Sequence, residues 1–238
     1  MEKKRFGDRR DGRLIRNLDG LHAVMPHLMP HRADAEVYLA AEMDVTEALD
    51  YIRRKNEGEE EYRATLFHCF VMAVAKTVWM RPRLNRFVSG RRLYQRDEIT
   101  LSFVVKRRFE DRSEESLMVT TAREDWTLSE VTRKIVGKVH QVREQGSYGV
   151  DGALNAVGRL PRWLIALIVW GYRTLDFFGR VPKSLAAGDP NYATVLLSNL
   201  GSIRSPAVYH HLNNYGTNSI LVTIGTIHKK EVFREDGS

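Results

Sequence analysis

Cysteine is almost missing from this chain. Cys69 stands alone, which excludes an internal disulfide and fits a reducing, cytoplasmic compartment. It falls in an apolar helical pattern, where a buried, inert thiol is expected rather than a nucleophile. No apolar run reaches the ~20 residues that a membrane-crossing helix needs. The basic opening MEKKRFGDRRDGR has the charge of an export signal without an apolar core behind it, so export is not expected. A Gly-rich phosphate loop of recognised spacing is absent. Internal repeats and low-complexity linkers are absent too, and one compact domain is the simplest organisation.

Negative charge is the minority. Against 37 Lys and Arg stand 30 Asp and Glu, a formal net charge of +7. This permits an anionic partner, whether nucleic acid, an acidic membrane or a phosphate-bearing cofactor, and charge alone does not choose among them. Part of such a surplus is ordinary solvated surface. With 43% hydrophobic and 28% charged residues over 238 positions, the chain has the material for a substantial core. Metal-ligand spacing is lacking. His22, His27 and His31 are separated by Pro26 and Pro30, which break the helical register, and no carboxylate or thiol pattern joins them, so no metal site is expected.

Taken in order, residues 1–34 read as a basic N-terminal arm and a short helix over Asp19–Leu28, ended by the prolines. Residues 35–238 read as the main domain. Val37, Leu39, Ala41, Met43 and Val45 alternate with polar positions and predict a half-buried strand. A helix follows over Thr46–Lys55, then a strongly amphipathic one over Tyr62–Met80, with Phe67, Phe70, Val71, Val74 and Val78 facing the core and Pro82 ending it. A short hairpin centres on Ser89-Gly90. Ile99, Leu101, Phe103 and Val105 form one face of a strand that runs into Lys106-Arg107-Arg108, and Leu117–Ala122 is a further strand. Thr127 and Glu130 have capping-box spacing, so a helix starts there and runs to about Glu144. Asp111–Glu115 and Gly146–Gly152 read as loops.

Trp163–Tyr172, WLIALIVWGY, is the most apolar run, with Arg159, Arg162 and Arg173 beside or within it. Three placements are open for this helix: the core, a subunit contact, or a membrane interface, the last making peripheral membrane contact through residues 160–178. Its Trp163 and Trp170 lie away from the basic residues, unlike a base-stacking platform, and nucleic acid is not an expected partner. Two apolar strands close the chain, Ala193–Leu197 and Ser219–Ile227, joined by a polar loop holding His210 and His211. The first ends in Ser198-Asn199-Leu200-Gly201, where a hydroxyl and an amide can be aimed into a cleft.

Several of these strings together resemble a known family. AEVYLAAEMDVTEAL is similar to the early strand and helix of the catalytic domain of dihydrolipoyl acyltransferases, the core of 2-oxoacid dehydrogenase complexes. TLFHCFVMAVAKTVWMRPRLNRF resembles the next helix and its Pro-x-Leu-Asn exit, and ITLSFVVK the following strand. ATVLLSNLG and SILVTIGTI resemble the paired Ser-Asn-x-Gly and Ile-Leu-x-x-Gly strands. The likeness runs in order from Ala35 to Ile227 and is nearest to small, stand-alone members without a lipoyl domain.

The resemblance implies an α+β fold of the chloramphenicol acetyltransferase type, a two-layer sandwich with a mixed sheet and flanking helices. It implies a homotrimer with active sites at the subunit boundaries and coenzyme A, as acyl-CoA, for a substrate. The acyl group would pass between a thioester, coenzyme A or lipoyl, and a thiol or hydroxyl. Such transfer needs a base for the acceptor proton and donors for the tetrahedral oxyanion. In the family the base is the histidine of a His-His-x-x-x-Asp-Gly motif, imitated here by His210-His211-Leu-Asn-Asn-Tyr215-Gly216 with Tyr in place of Asp. His211 is the matching position, although the family's motif follows the Ile-Leu-x-x-Gly strand and this one precedes it. Ser198 matches the oxyanion-stabilising hydroxyl, or serves as a strand-end Ser satisfying a turn. Asn199, Arg91 and Arg92 are the candidate coenzyme A contacts; the two arginines, with Lys106, Arg107 and Arg108, read more simply as a solvated face. Val232-Phe233 and Asp236-Gly237 look like a strand entering a turn, so the segment with the family's own motif is expected after Ser238. A trimeric scaffold of the same fold without a catalytic base is the alternative.

Overall fold

Four side chains at the centre of the molecule are almost wholly excluded from water: Leu101, Phe103, Val195 and Leu197. They belong to β4 (Thr100–Lys106) and β6 (Val195–Asn199), which pair in parallel. An alternating strand points every second residue to one face, and here that face meets two helices. In the computed structural model, residues 3–59, 61–106, 115–145, 156–186 and 189–231 are described. β5 (Glu115–Thr121) pairs antiparallel with β4, and β7 (Ile220–Ile224) pairs in parallel with β6. The result is a mixed four-stranded sheet in the order β5-β4-β6-β7.

The covering helices are α3 (Leu66–Met80) and α4 (Leu128–Gln145). Val71, Ala75 and Val78 of α3 and Val131 and Ile135 of α4 join the sheet side chains in one cluster. The core stripe of α3 is therefore His68, Val71, Ala75 and Val78, while Phe67 and Val74 lie at its margin. Cys69 is half-buried against a smaller cluster of Ile52, Ala64 and Leu128, and burial raises its thiol pKa. Thr127 and Glu130 form the expected box at the start of α4: the Thr127 N–H donates to Glu130 Oε2 at 2.8 Å. At the start of α3, Thr65 N–H donates to His68 Nδ1 at 3.1 Å.

Beside this sandwich lies a second sheet, in which β2 (Arg86–Ser89) and β3 (Arg92–Arg96) form the expected hairpin. Gly90 and Arg91 both have positive φ, 55° and 60°, the signature of a two-residue turn that follows the natural strand twist. Gly90 has a further reason to lack a side chain: a Cβ there would stand 2.2 Å from the carbonyl oxygen of Phe177. β1 (Gly12–Leu14) adds a third strand against β3. It lies within the expected N-terminal arm, and its three residues are too few to show alternation. The remaining helices are α1 (Gly20–Leu28), α2 (Thr46–Lys55), α5 (Arg162–Phe177) and the short α6 (Lys183–Ala186). Pro26 lies inside α1 rather than ending it.

One expectation is corrected, and one of the three open placements of the apolar helix is removed. The alternating segment 36–45 is extended but pairs with no strand, and Val37 and Leu39 remain 93% and 89% exposed. Alternation shows what a strand could bury and does not supply an edge to bury it against. The apolar helix α5 is not a core helix, for Asp176 is its one buried residue. The expectations for Arg107, Arg108, the loop 146–152 and the segment 232–238 lie outside the described residues, as does nearly all of 111–115.

The two sheets are joined through Arg96. Its Nη1 donates to the Tyr192 carbonyl at 2.8 Å, and Nη2 donates to the Thr217 carbonyl at 2.7 Å and to Thr217 Oγ1 at 3.1 Å. The guanidinium lies 4.4 Å from the centre of the Phe87 ring. Burial pulls its pKa down to about 10, so it is charged at neutral pH. Arg96→Leu leaves these carbonyls buried without a donor, and we expect a loss of about 3 kcal/mol or more in urea unfolding, with the m-value unchanged.

His68 makes stability depend on pH. Burial holds its pKa down at about 4, below the ~6.5 of an unfolded histidine. Between these values the unfolded chain binds a proton that the folded chain refuses, so stability rises with pH across that window and is flat above it. The expected loss on going from pH 7 to pH 4 is about 3 kcal/mol from this residue. His68→Gln keeps a Thr-x-x-Gln box and should remove that part of the slope in pH-dependent unfolding.

Candidate functional site

β6 and β7 run in parallel, so the chain must return along the sheet between them, and residues 200–219 make that return. A groove of about 1040 Å³ opens where this connection meets the unpaired segment 36–43, the tip of the β2–β3 hairpin and the end of α5. Under it lies a polar floor of linked side chains, and Asn218 Nδ2, buried in the groove lining, has no hydrogen-bond partner among the described residues. Asp176 of α5 accepts from Tyr192 Oη at 2.8 Å and from the Gly216 N–H at 3.1 Å. Tyr172 Oη donates to Tyr192 Oη at 3.1 Å. Asn191 Nδ2 donates to Asp189 Oδ1 at 2.7 Å and to Tyr215 Oη at 2.8 Å.

Burial sets the protonation of the floor's phenols. Burial pushes Tyr172 up to about 12 and raises Tyr192 and Tyr215 as well. The phenols therefore remain donors at neutral pH. Burial also raises Asp189, against the hydrogen bonds from Asn191 that lower it. Arg32 ties the loop from the other side. Its Nη1 donates to the Asn218 carbonyl at 2.6 Å and to Asn218 Oδ1 at 2.9 Å, and its Nη2 donates to the Gly216 carbonyl. Burial lowers the Arg32 pKa, while Asp176 and Glu36 raise it.

His210 and His211 stand on this connection, both exposed, with ring centres 5.6 Å apart. His210 Nδ1 lies 2.6 Å from the His211 carbonyl oxygen, and His211 Nδ1 lies 3.1 Å from that of Leu212. A carbonyl can only accept, so each ring carries its proton on Nδ1 and presents a lone pair at Nε2. That is the tautomer a general base requires. His210 lines the groove and His211 does not.

The other expected residues are dispersed. Ser198 is half-buried near the end of β6, in register with Thr223 of β7. Its hydroxyl makes no hydrogen bond among the described residues, and neither imidazole is bonded to it. Asn199 ends β6, and its Oδ1 faces Gly201, where a Cβ would lie 2.7 Å from the Gly225 carbonyl oxygen. Arg91, at the hairpin tip, lines the groove, whereas Arg92 is exposed outside it. The groove thus gathers Arg91 and His210, and leaves Ser198, Asn199, His211 and Arg92 off its walls. It adds Arg173, Asp176 and Asn214, which sequence reasoning missed. Asn214 was within reach of the sequence, since it stands four positions after His210. Asp176 sits in the last turn of an apolar helix and gave no signal. Among the described residues no group of three or more His, Cys, Asp or Glu side chains could hold a metal ion.

No family profile and no curated protein matches the chain. Solved structures do. One is a probable dihydrolipoamide acetyltransferase from Listeria monocytogenes, with 17% identity, a TM-score of 0.54, and 93% of this chain laid over 78% of that one. The truncated catalytic core of the 2-oxoacid dehydrogenase multienzyme complex from Thermoplasma acidophilum has 14% identity and a TM-score of 0.54, over 91% of this chain and 81% of that one. Azotobacter vinelandii dihydrolipoamide acetyltransferase has 13% identity and a TM-score of 0.53, over 79% and 61%. That structure concerns the role of a serine, a histidine and an asparagine in its catalytic mechanism, the last two lying four positions apart. The chain shares the α+β, chloramphenicol acetyltransferase-like fold of these catalytic cores.

Arg32 holds the histidine-bearing connection in place, and exchange measures it. The amides of Thr217 and Asn218 donate to the Asn191 carbonyl at 2.7 and 2.8 Å. Arg32→Ala removes charge-assisted bonds from that loop and is expected to speed hydrogen exchange at both amides by about tenfold or more, with Val71 of the core as an unaffected control. Unchanged exchange would show that the Asn191 carbonyl alone holds the loop.

Proposed function

We propose that this chain is an acyltransferase that moves an acyl group between coenzyme A and a thiol or hydroxyl acceptor, a dihydrolipoyl-type thiol among them, in the groove beside residues 208–218. The observation that carries the reading is His210, a groove-lining imidazole whose Nδ1–H is spent on a carbonyl at 2.6 Å. Its Nε2 takes the acceptor proton. The thiolate or alkoxide then attacks the thioester carbonyl, the new C–S or C–O bond forms, and the tetrahedral intermediate expels the coenzyme A thiolate. The imidazolium returns the proton to that leaving group. Asn214, four positions on, repeats the histidine-to-asparagine spacing named for the Azotobacter enzyme, and its side chain is anchored 2.9 Å from His31 Nδ1. Arg91 and Arg173 supply cations to the coenzyme A phosphates.

Asn218 Nδ2, buried in the lining of the groove and without a hydrogen-bond partner among the described residues, is a donor free for the oxyanion, and the Ser198 hydroxyl of a neighbouring subunit is a second. We place the chain in a homotrimer on the Ser198 hydroxyl and on the exposed, unpaired Val37 and Leu39, which a second copy would cover, and in the cytoplasm on its lone cysteine. A single donor of this kind is worth about 3–4 kcal/mol in the transition state. A second reading, a trimeric scaffold without turnover, is favoured by the position of both histidines before β7 and by the absence of a bond from either to Ser198.

Light scattering, calorimetric titration with coenzyme A and thiol release from acetyl-CoA separate the two. The acyltransferase reading expects the mass of three chains, coenzyme A binding, and a rate reduced about 10²- to 10⁴-fold by His210→Gln. Ser198→Ala should lower the rate with little change in coenzyme A affinity. A smaller effect of His210→Gln than of His211→Gln would move the base to His211. A folded trimer that fails to bind coenzyme A would leave the scaffold as the answer.

A further inference from the structure

Helix α5 has an apolar face that the fold does not cover. Trp163, Leu167 and Trp170 are 70%, 54% and 67% exposed and recur at spacings of four and three, so they share one stripe. Phe178, 68% exposed, continues it past the last turn. The opposite side is the fixed one: Tyr172 and Asp176 reach Tyr192, and the Gly90 backbone packs on the Phe177 carbonyl. The helix is therefore held by one flank and its C-terminal turn, with its tryptophans toward solvent.

The charges around this stripe are of one sign. Arg159, Arg162, Arg173 and Arg180 are exposed, and none forms an ion pair among the described residues. The one acidic residue of α5, Asp176, is buried. An apolar partner would satisfy the tryptophans and not the arginines. A second copy meeting this face would bring its own unpaired arginines to it, on a chain already at +7. An anionic bilayer satisfies both, because indole rings settle at the boundary of headgroups and acyl chains while long arginine side chains reach the phosphates. At 16 residues the helix is about 24 Å long, and no helix among the described residues is long and apolar enough to cross a membrane.

We propose that α5 is an interfacial anchor that lies along an anionic membrane surface, Trp163, Leu167 and Trp170 in the acyl boundary and Arg159, Arg162, Arg173 and Arg180 at the lipid phosphates. This does not depend on the acyltransferase reading. Arg173 and Phe177 also line the groove, so docking brings the groove mouth beside the bilayer.

The test is sedimentation of the full chain with vesicles of phosphatidylcholine alone or with about one-third phosphatidylglycerol. Binding is expected on the anionic vesicles, falling as salt is raised. Trp163→Ser with Trp170→Ser should weaken it by about tenfold or more. Arg159→Gln with Arg162→Gln should weaken it about fivefold per arginine removed. Brominated lipid should quench the fluorescence of the wild-type chain and much less that of the tryptophan variant, which keeps Trp79 on α3 and the buried Trp126. Absence of binding, equal binding to neutral and anionic vesicles, or full binding by a folded tryptophan variant would each overturn the proposal. A tryptophan variant that loses its oligomeric state in light scattering would also overturn it, by making the stripe a contact between copies.

Discussion

The rest of the structure depends on one buried cation. Arg96 leaves the last position of β3 and places its guanidinium among the carbonyls of Tyr192 and Thr217 and over the Phe87 ring. Those carbonyls belong to the segments that enter β6 and β7, so a single side chain from the small sheet fixes where both parallel strands of the large sheet begin. A planar, always-charged fork can hold two carbonyls and an aromatic face together, which an ammonium cannot. Water has been removed around it, and the cost is offset by acceptors at both terminal nitrogens and by the ring beside the guanidinium plane.

Arg9 and Arg32 extend the same construction. Arg9 Nη1 donates to Ser89 Oγ at 2.7 Å and to the Asp176 carbonyl at 3.3 Å, tying the N-terminal strand and the hairpin to the end of α5. Arg32 holds the loop that follows the histidines. Asp176 receives a phenol and an amide from these same segments. The groove is thus walled by pieces far apart in sequence and set in place by polar contacts, whereas the helix-covered face of the sheet is set by apolar ones. The polar contacts fix the Gly216–Asn218 and α5 sides of the groove, which is what positioning of a reacting group requires, whereas segment 36–43 stands unpaired.

The helices and the large sheet were legible in the sequence for a physical reason. Their residues interact at short range or repeat with the period of one element, as in the Thr127–Glu130 box, the α3 stripe and the alternation of Leu101 and Phe103. The hairpin was legible from Gly90. What failed to show was whatever depended on a neighbour. Residues 36–45 have the pattern of a strand, but pattern does not reveal whether an edge lies beside it. WLIALIVWGY is as apolar as a core helix, and only the fold shows that its attachments are Tyr172 and Asp176 while its tryptophans face outward. The candidate site suffered most. Arg91 and the double histidine were noticed, but which ring meets the groove is decided by the path of a 20-residue return that has no periodicity. Asp176 was invisible because its role is set by Tyr192 and Gly216, 16 and 40 positions away.

The net charge illustrates the difference between composition and arrangement. A surplus of +7 permits several anionic partners and chooses none. The fold sets two groups of arginines apart. Arg9, Arg32 and Arg96 are turned inward and have their fields absorbed by carbonyl dipoles, Asp11 and Asp176, so they contribute little to what an approaching ligand feels. Arg91, Arg159, Arg162, Arg173 and Arg180 stand at the groove and along α5 without ion-pair partners among the described residues, and their fields reach solvent over roughly a Debye length. These five lie at the groove and along the helix whose apolar stripe is uncovered. Arg173 belongs to both, which makes the end of α5 the place where a phosphate-bearing substrate and an anionic surface would meet the same cation.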